Sequence, residues 1–212
     1  MLDFIILNLK NILLIFFFSY LFGSLSFAIL ISKFRGLDDP RKYGSTNPGA
    51  TNVLRSGDKK AALLTLIGDA GKGFIVVFFV RFLVSDTFII SEQALLISVS
   101  AISVFLGHLF PIFFRFKGGK GVATSLGVFL GLDFLIGFFS IIVWLFVFSI
   151  SKISSLSAIV TAILAPFFSF FFLFSLWGDS SYILVFSIFF MSLLLLARHF
   201  SNISLLIKGK EK

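Results

Sequence analysis

Val122–Ile150 reads VATSLGVFLGLDFLIGFFSIIVWLFVFSI, and the way this stretch divides decides the fold. A membrane-spanning helix needs about 20 apolar residues, so the stretch is long for one helix and short for two. Its one acidic residue, Asp133, follows Gly131 and Leu132. Five other apolar runs flank it, at 4–32, 61–84, 93–114, 153–176 and 180–197. Charge between the runs settles the division. Connection 33–60 carries Lys33, Arg35, Arg41, Lys42, Arg55, Lys59 and Lys60 against Asp38, Asp39 and Asp58, which places it in the cytoplasm. The connection around Asp86–Glu92 has no Lys or Arg and faces outside, and Arg115, Lys117 and Lys120 bring the next one back in. As one helix, 122–150 would leave Lys152 and the basic tail (Arg198, Lys208, Lys210, Lys212) outside. A break at Gly131–Asp133 returns both to the cytoplasm.

The prediction is an all-α, polytopic membrane bundle of about seven transmembrane helices, with the N-terminus outside and the C-terminus cytoplasmic. Residues 1–212 form a single membrane domain, and the fourth span is short unless its helix begins inside the preceding glycine-rich loop. Composition agrees: 58% of residues are hydrophobic, 13% are charged, and mean hydropathy is +1.08. A soluble fold of this size could not hide so much apolar surface. The 33 Phe against two Trp and three Tyr leave a thin aromatic belt, and the Phe excess is read as compositional bias. With no cysteine, disulfides and thiol chemistry are excluded. The net charge of +8 lies between the apolar runs, which favours cytoplasmic loops and anionic lipid over nucleic acid. The N-terminal run, about Leu2–Ile31, is too long for a signal-peptide core and is taken as a retained span.

Three polar clusters fall on the cytoplasmic side. The first runs from Leu37 to Arg55, with Pro40, Gly44, Pro48 and Gly49 breaking regular structure. Ser45, Thr46, Asn47, Thr51 and Asn52 supply hydrogen-bonding groups and Arg55 a charged fork, although Ser45–Asn52 alone could be a turn and a helix N-cap. The second, Phe116–Ser125, holds Lys117, Gly118, Gly119, Lys120 and Gly121 ahead of a helix. Glycines let successive backbone N–H groups converge on an anion, and two lysines and the helix N-terminus add positive potential. That is a phosphate cradle without the Walker A spacing, or, in the bland reading, a basic turn holding lipid headgroups. A smaller relative, Gly68-Asp69-Ala70-Gly71-Lys72-Gly73, interrupts the second apolar run. It suggests a polar cavity or half-helix; alternatively the helix starts near Gly73 and leaves the charges in the interface. The third cluster, Arg198–Ile203 followed by Lys208–Glu211, brings His199 and Asn202, three apart, onto one helix face. His199 can move a proton near neutral pH or act as a helix-dipole partner, and His108 beside Pro111 is read as structural. No metal-site pattern is present: there is no H-E-x-x-H, no Cys, and no carboxylate cluster beyond Asp38-Asp39.

The motifs D-D-P-R-K-Y-G-S-x-N-P-G-A-T-N-V-L-R (Asp38–Arg55), G-H-x-x-P-x-x-x-x-F-K-G-G-K-G-V-A-T (Gly107–Thr124) and A-R-H-x-x-N-I (Ala197–Ile203) resemble, in that order, those of the PlsY family of bacterial acyl-phosphate:glycerol-3-phosphate acyltransferases. With matching span order they cover nearly the whole chain. The resemblance implies acyl transfer from acyl phosphate, not acyl-CoA or acyl carrier protein, to the 1-hydroxyl of glycerol 3-phosphate. The products are lysophosphatidic acid and phosphate, in the first committed step of phospholipid synthesis, at the cytoplasmic face of the inner membrane. It implies Ser45, Arg55, His199 and Asn202 as catalytic. Substrate binding falls to Asn47, Gly49, Ala50, Thr51 and Asn52 with Lys117, Gly118, Gly119, Lys120 and Gly121, and Glu211 has a structural role. The expected partners are the two substrates and the bilayer, with no cofactor, metal or nucleic acid. One departure stands out: the family tail N-I-x-R-L is Asn202-Ile203-Ser204-Leu205-Leu206 here, so any contact made by that Arg is lost or moved to Lys208.

The residue chemistry fits two phosphorylated substrates. Acyl phosphate is already activated, so positioning and charge stabilisation could carry catalysis. Lys117 or Lys120, Arg55 and glycine N–H groups would hold phosphates, while Ser45, Asn202 and His199 orient the hydroxyl and leaving group. His199 or a substrate phosphate oxygen would take the proton. A transporter of phosphorylated metabolites is the competing class, although its polar groups should lie near the midplane. A non-catalytic lipid-binding scaffold is the third.

Overall fold

Asp133 ends one helix and starts the next. Its backbone is extended (φ −158°) and its carboxylate accepts the N–H groups of Leu135 (2.8 Å) and Ile136 (3.3 Å), an N-cap that divides the long apolar stretch. The structure, a computed structural model, describes residues 2–211, with side-chain surroundings from Leu9 onward; Lys212 of the basic tail lies outside the described residues. The elements are all helical: α1 Leu2–Gly23, α2 Phe27–Phe34, α3 Ala50–Leu54, α4 Lys59–Val84, α5 Ile90–Leu109, α6 Val122–Leu132, α7 Phe134–Ser151, α8 Ser154–Trp177, α9 Ser181–Arg198 and α10 Phe200–Ile207.

Five stretches among the described residues are long and apolar enough to cross a membrane: Leu9–Phe34, Lys59–Val84, Ile90–Phe114, Phe134–Ser151 and Ser154–Arg198. The last is folded into α8 and α9 by the 3₁₀ turn Gly178–Ser180. Helix α6 starts only at Val122, after Gly121 at φ +90°, and not inside the glycine-rich loop. Its 11 residues rise about 16 Å, roughly half the hydrocarbon core.

Two expected runs are interrupted. The run 4–32 breaks between α1 and α2, where Ser24 donates its hydroxyl to the Tyr20 carbonyl (2.8 Å). Lys72 Nζ donates to the Leu25 carbonyl exposed by that break (2.7 Å). The run 93–114 leaves the helix at Leu109, because Pro111 disfavours helical backbone at Phe110. At Asp69–Lys72, α4 runs unbroken, which overturns both the half-helix and a helix start near Gly73, and the two charges are buried against each other at 2.8 Å inside the bundle.

Small residues set the packing. A side chain at Gly127 would collide with the Ala70 carbonyl, one at Gly73 with the Thr124 carbonyl, and one at Gly131 would press on Val77. Helices α4 and α6 therefore lie side by side in the same direction at near-backbone contact. Gly23 against Val104 and Gly107 against Tyr20 do the same for α1 and α5. In lipid, where apolar burial gives helices little reason to associate, such close packing supplies the cohesion. Phe105, Leu109, Val128, Leu132, Ile188 and Met191 fill the centre. Phe82, Phe171 and Phe186 are 71%, 73% and 65% exposed, a phenylalanine-rich exterior suited to lipid.

Candidate functional site

Asn52 builds the first loop. It is buried, its Oδ1 accepts the Ser45 N–H (3.0 Å), and its Nδ2 donates to the carbonyls of Pro40 (2.7 Å) and Tyr43 (3.2 Å). Its amide is thus committed to shaping the loop. Gly44 (φ +57°) lies where a Cβ would strike Asn52 Oδ1, with the Arg55 side chain about as close as van der Waals contact permits. Thr46 adopts the same left-handed backbone (φ +55°), costly for a β-branched residue. Ser45, Thr46 and Arg55 are exposed, and neither the Ser45 hydroxyl nor the Arg55 guanidinium has a partner among the described residues. Asn47, Gly49 and Ala50 are half-buried at the N-terminus of α3, and the Thr51 hydroxyl lies 3.4 Å from that of Ser154. An ion pair, Arg41 to Asp39 (2.6 Å), closes the front of the loop and holds the Asp39 carboxyl below its ordinary range through its hydrogen bonds.

The second loop is held by its carbonyls. Arg198 of α9 donates to the carbonyls of Gly118 (3.1 Å) and Gly119 (3.2 Å), and the Gly119 N–H is bonded to the His108 carbonyl (3.2 Å). The amides of Lys120, Gly121, Val122 and Ala123 find no acceptor among the described residues, an amide-rich α6 N-terminus of the kind that favours anions. Gly118, Gly119 and Gly121 are buried, and Lys117 is exposed and unpaired among the described residues. The Pro48 carbonyl would lie 3.0 Å from a Cβ at Gly119, so the first loop packs on the second.

The third cluster closes on both. His199 lies in the break between α9 and α10, not on one continuous helix with Asn202. Lys120 Nζ donates to Asn202 Oδ1, and Asn202 Nδ2 donates to Glu211 Oε1 (2.5 Å). That carboxylate oxygen also accepts the Ser155 hydroxyl (2.6 Å), which pins the tail to the start of α8. Burial pushes the Lys120 ammonium below its ordinary pKa, partly offset by Glu211, while Arg198 and Arg55 add to the depression. His199 is buried, which pulls its pKa down to about 4. At neutral pH it is uncharged; with Nδ1 2.8 Å from the Leu195 carbonyl, the proton sits on Nδ1 and Nε2 keeps a lone pair. Leu205 is 39% exposed and Lys208 is exposed at the end of α10.

Arg55, Lys120, His199, Asn202 and Glu211, from three distant stretches, thus gather at one end of the bundle. Residue patterns alone missed Arg198 as the clamp on the glycine loop; its place beside His199 was the only signal. The Gly68–Gly73 run pointed to a polar interior, and the structure joins its Asp69 and Lys72 to His108 and Thr124 in a buried set behind that loop. No cluster of three or more His, Cys, Asp or Glu that could hold a metal occurs among the described residues.

Residues 13–209 match the family described as glycerol-3-phosphate acyltransferase. The chain is 49% identical over 195 residues to the glycerol-3-phosphate acyltransferase of Nitrosomonas eutropha, covering 92% of this chain and 93% of that one. It is 51% identical over 193 residues to that of Nitrosospira multiformis, covering 91% of each. Among solved structures it is similar to PlsY (YgiH), an integral membrane glycerol 3-phosphate acyltransferase, in its glycerol 3-phosphate form, with a TM-score of 0.84, 35% identity, and coverage of 95% of this chain and 94% of that one. The lysophosphatidic acid form gives a TM-score of 0.83 at 34% identity, with the same coverage.

Proposed function

The chain belongs to the glycerol-3-phosphate acyltransferase family, and on that premise we propose that it acylates the 1-hydroxyl of glycerol 3-phosphate, taking the acyl group from acyl phosphate. The observation that carries this reading is the link from the glycine loop through Lys120 to Asn202 and Glu211, with Arg55 beside it. Two phosphorylated substrates need two anion-binding groups next to one polar reaction centre. The α6 amides with Lys120 form one, and Arg55 with Ser45 forms the other.

In the reaction, the 1-hydroxyl oxygen attacks the acyl carbonyl carbon. A new C–O ester bond forms, the bond from that carbon to the bridging phosphate oxygen breaks, and inorganic phosphate departs. Arg55 balances the phosphate charge as it grows on the leaving oxygen, while Lys120 and the α6 amides hold the phosphate of glycerol 3-phosphate, which keeps its charge throughout. His199 has a pKa of about 4, whereas a phosphate titrates near about 6, so the phosphate is the stronger base. The hydroxyl proton therefore ends on the released phosphate, and His199 Nε2 accepts the hydroxyl's hydrogen bond to aim it. Asn202, held by Glu211, and Ser45 orient the reacting groups. The single domain of residues 1–212 crosses the membrane seven times, counting α6 as a short crossing, with the N-terminus outside. Lys33–Lys60, Arg115–Lys120 and the basic tail support a site on the cytoplasmic face of a bacterial inner membrane, at the first committed step of phospholipid synthesis.

The test uses purified protein in detergent or lipidic mesophase with palmitoyl phosphate and glycerol 3-phosphate, and palmitoyl-CoA as the alternative donor. Equal yields of phosphate and lysophosphatidic acid, with the CoA ester inert, are expected. Product from the CoA ester alone would replace the donor in this reading.

A further inference from the structure

Four polar side chains lie behind the glycine loop, and the acyl-transfer steps above use none of them. Asp69, Lys72, His108 and Thr124 are each at most 7% exposed. They come from α4, α5 and α6, and they meet at the level where α6 begins. Lys72 bridges Asp69 Oδ1 and the Leu25 carbonyl, which fixes the α1–α2 break to α4. Thr124 donates its hydroxyl to the Asp69 carbonyl (2.9 Å), which uses its only proton. The same hydroxyl lies 3.0 Å from His108 Nδ1, so it accepts there and Nδ1 carries the proton. Asp69 Oδ1, 3.5 Å from Nδ1, lies on the side that favours that tautomer. The far edge of the ring is then fixed. A Cβ at Gly119 would overlap His108 Nε2, and the His108 carbonyl accepts the Gly119 N–H.

We propose that Thr124 and His108, with Asp69 behind them, are positioning residues for phosphate binding: the hydroxyl locks the imidazole, and the imidazole is the wall against which Gly119 is seated. The lock sets the path of Gly118–Gly121, and with it the direction of the α6 amides and of Lys120. Arg198 restrains the same loop from the opposite side through the Gly118 and Gly119 carbonyls. A loop held on both sides meets its anion without first losing conformational freedom, and such preorganisation is what binding rewards. The inference rests on the acyltransferase reading, since it names what shapes that site's anion cradle.

Thr124→Val keeps the shape of the side chain and removes the hydroxyl; Thr124→Ser keeps the hydroxyl. Because the loop would grip a phosphate alike before and during reaction, the loss falls on KM. In Thr124→Val the KM for one phosphorylated substrate rises about tenfold, the size of one net hydrogen bond, with kcat within about twofold of wild type. Thr124→Ser returns it to the wild-type value. His108→Asn, whose amide can still donate to Thr124 but leaves Gly119 without its wall, raises the same KM while its melting temperature in detergent stays near that of wild type. A wild-type protein that transfers no acyl group overturns the acyltransferase reading itself. A wild-type protein that is active beside Thr124→Val and His108→Asn proteins of unchanged KM overturns the positioning role. So does a loss confined to kcat with a lowered melting temperature, which marks a purely structural network.

Discussion

His199 owes its chemistry to burial and one carbonyl. Buried imidazoles resist protonation, and the Leu195 carbonyl fixes the remaining proton on Nδ1. The chain holds only two histidines, so nitrogen-15 NMR of histidine-labelled protein, assigned with His199→Gln, reads each directly. His199 stays neutral from pH 8 down to about 5 and titrates near its shifted value of about 4. A midpoint near the ordinary value of about 6.5 would mean a solvated ring and return it as a candidate base. Glu211 acts one step further out, since one oxygen accepts from both Asn202 and Ser155. Glu211→Ala leaves two half-buried donors without their acceptor, at a cost of about 1 kcal/mol each, since water can reach part of the site. The expected result is a lower melting temperature together with a fall in kcat of about tenfold or more as Asn202 loses its orientation. Glu211→Gln, which keeps an acceptor oxygen, recovers most of the melting temperature.

Among the elements, the α4–α6 pair matters most, because α6 is short and begins at the anion cradle. Its grip on α4 depends on Gly127 lying against the Ala70 backbone. A methyl group there already collides with a carbonyl, so the helices must part. Gly127→Ala lowers the melting temperature in detergent, and Gly127→Leu prevents recovery of folded protein. Overpacking of this kind costs about 1–3 kcal/mol where the neighbours can shift, and more against backbone. Gly71, where a Cβ meets nothing within 4 Å on the same helix, is the control: Gly71→Ala leaves stability unchanged or raises it slightly. Equal melting temperatures for the Gly127→Ala and Gly71→Ala proteins would show that the near-backbone contact does not hold the pair.

For the whole molecule, the question is which face of the membrane carries the site. The basic connections lie at one end of the bundle with the acidic Asp86–Glu92 turn at the other, and the bias of Lys and Arg toward the cytoplasm predicts that the basic end is the cytoplasmic one. Because the natural sequence has no cysteine, single-cysteine variants can be placed without background. In intact spheroplasts a membrane-impermeant maleimide labels Asp86→Cys, whereas Lys42→Cys labels only after permeabilisation. The opposite pattern would place the site outside and remove acyl transfer from cytoplasmic substrates.

By itself the sequence determined the solvent, the class and the chemistry of this protein. Long apolar runs have only lipid to face, Asp133 could only be a break in one of them, and the polar motifs between them carried the family resemblance. Tertiary structure alone decided the rest. The sequence left Asp69 and Lys72 between a polar interior and the interface, since their burial is tolerable only when Thr124, His108 and the Leu25 carbonyl arrive from elsewhere in the chain. The family resemblance places Asn52 among the binding residues, and only the fold shows that its amide also donates to the Pro40 and Tyr43 carbonyls. The break after Gly23 was illegible for the same reason: a helix end in lipid persists only where distant groups satisfy its free carbonyls and amides, and no local pattern encodes a distant partner.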